Sequence, residues 1–179
     1  MKQSDCILTI NKEFFSPLDP KPQNILIEDI AHALSYMCRA NGHFKSFFSV
    51  AQHSINCALE GKARGYSAKQ QLACLLHDAS EAYLSDITRP VKRHLANYLE
   101  IEHKLQNTIW EKFGLSLSEE DLERIKAADD CMLYYEFVNL ADARLFDTAP
   151  EIYSHPDFSQ RDFLEVKAEF LALYRSLSE

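Results

Sequence analysis

Apolar residues recur at intervals of three and four along most of the chain, and only four glycines interrupt this pattern. A period close to 3.6 residues is typical of helices that bury one face. The pattern predicts an all-α helical bundle, with helices at about 28–39, 49–63, 67–78, 80–86, 95–113, 118–143 and 160–177. Three of these helices start with the spacing of a serine N-cap, at Ser67, Ser118 and Ser159.

The two ends of the predicted bundle depart from the helical period. Residues 7–10 and 13–15 are rich in apolar side chains and flank Asn11 and Lys12, which predicts a small N-terminal β-hairpin. Three prolines follow the hairpin and indicate an extended connection. Near the other end, residues 144–158 combine acidic residues with two prolines, so we expect a long surface connection before the last helix.

The length of 179 residues and the hydrophobic content of 46% predict a single domain with one buried core. Within that domain we expect residues 1–27 to form the hairpin and an extended cap. Residues 28–143 should form the helical core that carries the chemistry, and residues 144–179 the surface connection and the C-terminal helix.

Composition narrows the possible partners and compartment. A net charge of −8 argues against coating a nucleic-acid polymer, which requires neutralisation of phosphates. The five cysteines include no Cys-x-x-Cys pair and fall mostly within apolar helical patterns, which predicts reduced thiols. No N-terminal signal pattern is present, and no apolar run approaches the roughly 20 residues of a membrane span. We expect a cytoplasmic protein that does not bind membranes.

Candidate metal chemistry first appears at two histidines. His53 lies on the apolar stripe of its predicted helix, where a lone histidine is more often a core residue than a ligand. His77 and Asp78 end the apolar run 72–76. A histidine there can stabilise the negative end of a helix dipole, but an aspartate is poorly suited to that position. The adjacent imidazole and carboxylate therefore favour a divalent metal site.

A further carboxylate, Asp129, is predicted to face inward. Helical spacing places it on the face of Leu122, Ile125 and Met132, whereas Asp130 aligns with Lys126. A buried carboxylate costs several kcal/mol unless it is paired, protonated or coordinated. We therefore predict that Asp129 is the ligand and that Asp130 is an exposed partner of Lys126.

Two imidazoles and two carboxylates would form a mixed nitrogen and oxygen site, contributed by His53, His77, Asp78 and Asp129. Such a set suits one divalent ion of borderline softness, such as Mn, Co, Fe, Ni or Zn. A purely structural zinc site would more often use thiolates.

These four residues, in this order, resemble the H…HD…D signature of the HD-domain metal-dependent phosphohydrolases. The segments 50–54, 77–81 and 88–92, together with Asp86, resemble the bacterial 5′-deoxynucleotidases, especially the short prophage proteins of the YfdR-like group. The resemblance covers about residues 25–140. It implies an HD-domain helical bundle around one divalent metal ion, and hydrolysis of nucleoside 5′-monophosphates to nucleoside and phosphate by attack of water.

The resemblance also implies roles for residues outside the metal set. Arg39 corresponds to an arginine that binds the phosphate, and Lys92 is a further candidate for phosphate contact. Glu81 and Asp86 correspond to acid and base groups near the reacting phosphate, although their order of action stays open. The family pattern has an aromatic residue after the arginine, whereas this chain has Ala40. Discrimination against ribose is therefore open, and residues 41–43 are an alternative lining of the sugar pocket.

Other functions use similar residues. A phosphodiesterase or pyrophosphohydrolase acting on a nucleotide signal would use the same metal ligands. A non-catalytic module could retain the metal and nucleotide sites for regulation, but it would have no need for Glu81 and Asp86. A homodimer is possible through Trp110 and Phe113, although an ordinary core also explains these aromatic residues.

Overall fold

A computed structural model describes residues 5–178, which are mostly helical with a small antiparallel hairpin at the start. The strands are β1 (Ile7–Leu8) and β2 (Phe14–Phe15). The helices are α1 (Ile27–Tyr36), α2 (Val50–Ala63), α3 (Ala68–Leu76), α4 (Glu81–Leu84), α5 (Arg89–Lys92), α6 (Ala96–Lys112), α7 (Glu119–Ala141) and α8 (Phe163–Ser178). Short 3-10 turns occur at Pro22–Asn24 and Arg39–Gly42.

The predicted hairpin is confirmed. Ile7 pairs with Phe15 and Leu8 pairs with Phe14. The Asp29 carboxylate on α1 fastens the turn, since Oδ1 accepts hydrogen bonds from the Asn11 backbone N–H (3.1 Å) and side-chain amide (2.8 Å). This side-chain contact holds the hairpin against the bundle.

Helix α2 lies at the centre of the bundle and packs against α1, α3, α7 and α8. Its apolar positions are small or β-branched, including Val50, Ala51 and Ile55, and these side chains are buried. Two buried amides on the same helix bind the connection before α8. The Gln52 side chain donates to the Ser159 carbonyl (2.9 Å) and the Asn56 side chain donates to the Asp157 carbonyl (3.1 Å). The predicted connection exists, but these contacts tie it to the core.

The predicted capping boxes at Ser67 and Ser118 are confirmed, with Gln70 and Asp121 at the third helical position. The predicted cap at Ser159 is wrong. Helix α8 begins later because Asp162 Oδ1 accepts hydrogen bonds from the backbone N–H groups at 164 (2.8 Å) and 165 (3.2 Å). A carboxylate can cap a helix as well as a hydroxyl does, so the serine spacing alone was misleading.

Two further differences concern helix ends and exposure. The first predicted helix ends at Tyr36, and α5 lies where no helix was predicted. Leu122, predicted to face inward with Asp129, is 48% exposed. Among residues 5–178, no helix combines the length and hydrophobicity needed to cross a membrane.

Candidate functional site

Three helices bring the predicted metal ligands together. His53 lies in the first turn of α2, His77 and Asp78 follow the end of α3, and Asp129 lies on α7. His53 Nε2 is 3.3 Å from His77 Nε2 and 3.2 Å from Asp129 Oδ1. Asp78 Oδ2 lies 3.3 Å from His77 Nε2 and 3.7 Å from His53 Nε2. The distance from His77 Nε2 to Asp129 Oδ1 is 3.8 Å.

Hydrogen bonds on the far side of each imidazole set its tautomer. His77 Nδ1 lies 2.7 Å from the Cys74 carbonyl oxygen, so this nitrogen carries the proton. His53 Nδ1 lies 2.5 Å from Glu136 Oε1, so it is also the donor there. In the neutral rings, both Nε2 lone pairs therefore point at each other and at the carboxylates of Asp78 and Asp129.

This convergence of acceptors shifts the pKa values of the histidine and aspartate side chains. Burial opposes protonation of His77, but Asp78 and Asp129 outweigh it and raise the pKa of His77 well above its ordinary value. Burial likewise works against ionisation of Asp129, yet His53 and His77 hold the pKa of Asp129 well below the usual range. Positive charge therefore stabilises this group of side chains, and either bound protons or a metal cation can provide it.

Cys57 is a third potential donor beside the histidines. His53, Cys57 and His77 form a buried group that could hold a metal ion. The Cys57 Sγ lies 3.5 Å from His53 Nε2. Burial and the negative charge of Asp129 raise the pKa of the Cys57 thiol, which disfavours the thiolate that binds metals best.

The two neighbouring aspartates on α7 are both half-buried but have different partners. Asp129 contacts both histidines, whereas Asp130 pairs with Lys126 one turn away. Arg89 was not predicted at this position, and it bridges the two carboxylates with contacts of 2.6 Å to Asp129 Oδ2 and 2.7 Å to Asp130 Oδ1. Asp129 therefore presents Oδ1 to the histidines and Oδ2 to an arginine.

Arg39 lies beside the histidine group. A left-handed turn follows it, with positive φ at Ala40 (52°) and Asn41 (51°). Its guanidinium is 3.3 Å from Asp78 Oδ2 and 3.5 Å from Glu136 Oε2. Burial opposes the charge of Arg39, but these carboxylates raise its pKa, so it stays a cation. The guanidinium is thus fixed next to Asp78 at the base of a cleft.

Glu81 and Asp86 also lie at this cleft, on the side of α4 and α5. Burial, Asp78 and Asp86 raise the pKa of Glu81 well above its ordinary value. Burial also raises the pKa of Asp86, although Arg39 opposes this effect. Lys92 lines the same cleft, but its ammonium is 2.5 Å from Glu102 Oε1 and 3.7 Å from Glu81 Oε1.

The cleft has a volume of about 710 Å³, within the roughly 300–1,000 Å³ typical of small-molecule sites. Its lining combines charged and apolar side chains. The charged residues are Arg39, Asp78, Glu81, Asp86, Arg89, Lys92, Arg93, Asp129 and Glu136. The apolar residues include Phe44, Leu133, Phe137, Leu145 and Phe146.

The structure places only part of the predicted sugar-pocket segment at the cleft, and it places the predicted dimer residues against their own chain. Ala40 and His43 line the cleft, whereas Asn41 and Gly42 are not among its lining residues. Trp110 packs against the core of its own chain, and the Phe113 ring lies 5.4 Å from that of Tyr174.

Glu136 was not predicted as a site residue, yet its fully buried carboxylate joins His53 to Arg39. Its position was readable in principle, because Asp129, Met132 and Glu136 are spaced by three and seven residues and share one face of α7. Cys57 was recognised only as part of the apolar stripe of α2. The partners of Glu136 lie on other elements of the fold, whereas Cys57 contacts His53 one turn away on the same helix.

Two known proteins are similar in sequence to this chain. No protein-family profile matches it. "Uncharacterized protein YfdR" of Escherichia coli (strain K12) is 44% identical over 94 residues, which are 51% of this chain and 49% of YfdR. "Uncharacterized protein RCAP_rcc00048" of Rhodobacter capsulatus is 36% identical over 180 residues, covering 90% of this chain and 91% of that protein.

The two matches differ in extent. The chain spans about half the length of YfdR, but it spans nearly all of RCAP_rcc00048. The predicted likeness to YfdR is confirmed as homology. Neither relative's description names an activity, so the resemblance to HD-domain nucleotidases stays a prediction. By its full-length match, the chain belongs to the same family as RCAP_rcc00048, with YfdR as a further homologue.

Proposed function

We propose that this protein is a metal-dependent phosphohydrolase of the HD-domain type that acts as a 5′-nucleotidase on nucleoside or deoxynucleoside 5′-monophosphates. One observation carries the proposal. Two imidazole lone pairs converge with the carboxylates of Asp78 and Asp129, which line the cleft, and a buried arginine lies next to them. This arrangement combines the chemistry of a divalent metal site with that of a phosphate site.

The donor set fits one divalent ion held by His53, His77, Asp78 and Asp129. The tautomers fixed by Glu136 and the Cys74 carbonyl leave both Nε2 atoms free to coordinate. When bound, such an ion would polarise a phosphate oxygen and lower the pKa of a coordinated water. Cys57 stays a neutral neighbour in this proposal because its thiol holds its proton.

Residues of the chain supply the remaining functions. Arg39 binds the phosphate and neutralises charge that develops as water attacks. Glu81, whose pKa is raised by burial and by Asp78, donates a proton to the leaving 5′ oxygen, and Asp86 orients the attacking water. Lys92 acts indirectly, since it pairs with Glu102 and reaches towards Glu81.

The aromatic side chains in the cleft favour a nucleotide over a small phosphate ester. Phe44, Phe137 and Phe146 offer aromatic surface in the same cleft as Arg39. Stacking on aromatic rings tolerates different bases because every base has a π-face. We therefore expect the phosphate to bind at Arg39 and the base against these aromatic rings, with little preference among bases.

The test measures phosphate release from deoxynucleoside and ribonucleoside monophosphates. Chelator-treated protein is restored with manganese, cobalt or zinc, and bound metal is counted in parallel. We expect metal-dependent turnover in the wild type and in Cys57→Ser. Asp129→Ala should lose metal and activity, whereas the matched control Asp130→Ala should keep both.

Other outcomes would redirect the proposal. Metal binding without phosphate release from any monophosphate would reject the nucleotidase. Cleavage of phosphodiesters or nucleoside pyrophosphates would then favour the related hydrolases, and nucleotide binding without turnover would favour a regulatory module. Loss of metal in Cys57→Ser but not in Asp129→Ala would show that the ligand set is wrong.

A further inference from the structure

A second cavity lies beneath the N-terminal hairpin and shares no lining residue with the cleft. Its volume is about 370 Å³, at the lower end of the range for small-ligand sites, roughly 300–1,000 Å³. Ile7, Leu8 and Ile10 line one wall from the hairpin. Asp29 and His32 on α1 and Tyr83 on α4 contribute the titratable side chains of the opposite walls.

Two polar atoms in these walls lack a partner. Asp29 is 3% exposed and Tyr83 is 6% exposed. Within residues 5–178, neither Asp29 Oδ2 nor the Tyr83 hydroxyl has a hydrogen-bond partner. Buried polar groups in folded proteins are almost always paired, so two orphan oxygens lining one cavity call for a bound partner.

Both oxygens are held in place by contacts of the rest of the side chain. Asp29 Oδ1 accepts two hydrogen bonds from Asn11, which leaves Oδ2 as the free oxygen. The Tyr83 ring stacks on Phe15 with centroids 4.0 Å apart. The pair is therefore pre-organised, which lowers the entropic cost of binding.

The charges of the lining side chains indicate which class of ligand the cavity binds. Burial and nearby Lys167 lower the pKa of His32, so the imidazole is neutral near pH 7. Burial and the Asp29 carboxylate raise the pKa of Tyr83, so the phenol keeps its proton. Asp29 is the one acidic residue among the described lining residues, and it shares the cavity with apolar side chains. This combination fits a cation with N–H donors and a short hydrocarbon chain.

We propose that the cavity beneath the hairpin binds a small aliphatic primary amine in its ammonium form. The ammonium group donates hydrogen bonds to Asp29 Oδ2 and to the Tyr83 hydroxyl oxygen, and the alkyl chain packs along Ile7, Leu8 and Ile10. The inference does not depend on the function proposed for the cleft, because the two cavities share no lining residue.

The test is isothermal titration calorimetry of the full chain with n-butylammonium chloride at constant ionic strength. We expect saturable binding of one equivalent. Asp29→Asn should weaken it at least tenfold, about the loss expected when a charge-assisted hydrogen bond is removed. The matched control Asp19→Asn, which changes an exposed aspartate paired with Lys21, should bind as the wild type does.

Two probes and one further variant separate this site from nonspecific attraction. 1-Butanol lacks the charge and tetramethylammonium lacks N–H donors, so both should bind much more weakly than n-butylammonium. Tyr83→Phe keeps the ring stack, so it should fold with an unchanged or higher melting temperature and still lose affinity for the amine. No saturable binding to the wild type would show that water alone serves these oxygens and would overturn the proposal. Equal binding of n-butylammonium to Asp29→Asn would also overturn it.

Discussion

Glu81 is a buried carboxylate in an unfavourable position. Its Oε2 atom has no hydrogen-bond partner within residues 5–178, and Asp78 and Asp86 lie close enough to raise its pKa. Such an unfavourable electrostatic environment is common at functional sites, where a group is held in the protonation state that the reaction needs. This environment lowers the free energy of unfolding of the protein.

Replacing Glu81 with glutamine should stabilise the metal-free protein and reduce activity. Because the folded-state pKa is raised, the unfolded chain releases this proton at lower pH than the folded protein, and stability falls as the pH rises between the two pKa values. Glu81→Gln should gain about 1 kcal/mol or more at pH 7.5, with little gain below pH 4. Urea unfolding at both pH values measures this difference.

The same substitution should slow phosphate release by about 10²-fold or more, the usual contribution of a general acid. Glu123→Gln, at an exposed position on α7, is the matched control and should change neither property. A less stable Glu81→Gln protein at pH 7.5 would contradict the assigned protonation state.

At the scale of elements, one glutamate fastens the long connection before α8 to the central helix. Glu60 on α2 is fully buried. Its carboxylate accepts hydrogen bonds from the Tyr153 backbone N–H (3.1 Å), from both the backbone (2.9 Å) and hydroxyl (2.6 Å) of Ser154, and from Arg64 (2.8 Å). Burial disfavours ionisation of Glu60, but these donors lower its pKa overall.

Replacing Glu60 with alanine should therefore release the connection at residues 144–158. We expect a loss of about 2–3 kcal/mol in the free energy of unfolding, because several charge-assisted hydrogen bonds disappear and their donors stay buried. Proteolysis should accelerate within this segment. Since the folded-state pKa of Glu60 is depressed, the stabilisation is present above the unfolded value of 4.5 and is lost as the pH falls further.

Glu120→Ala is the control for this prediction. Glu120 forms an exposed pair with Arg124 one turn away on α7, and such pairs contribute about 0.5 kcal/mol or less. Equal effects of the two substitutions would show that Glu60 does not anchor the connection.

At the scale of the whole molecule, the helices form one continuous core. Helix α8 packs on α1, α2 and α3, and its Val166 and Phe170 are buried in the same cluster as Leu105 and Ile109 of α6. Gln106 joins α6 to the segment that carries His77 and Asp78, since its side chain donates to the Leu76 carbonyl (2.8 Å) and accepts from the Ser80 backbone N–H (3.0 Å).

We therefore expect cooperative two-state unfolding in urea. The fluorescence of Trp110, the single tryptophan on α6, and the far-ultraviolet circular dichroism of all helices should give coincident transitions. Added divalent metal should shift both midpoints upward together, because a ligand that binds only the folded state stabilises it. Separate transitions would instead indicate that residues 144–178 form an independent unit.

The helical pattern predicted most of the fold because burial of one face repeats every 3.6 residues within a single segment. The N-caps at Ser67 and Ser118 and the pairing of Asp130 with Lys126 are local properties of this kind. The start of α8 was misplaced because two capping residues competed within four positions. Helix α5 escaped prediction because one turn is too short to show a period.

The sequence by itself thus determined the helical class, the hairpin and two histidines, His53 and His77, of a buried group that could hold a metal ion. Only the tertiary structure decided which side chains complete their surroundings. Glu136 joins His53 to Arg39, and Arg89 bridges Asp129 and Asp130. These contacts connect different helices, and helical periodicity reports which face is buried but not which helix covers it.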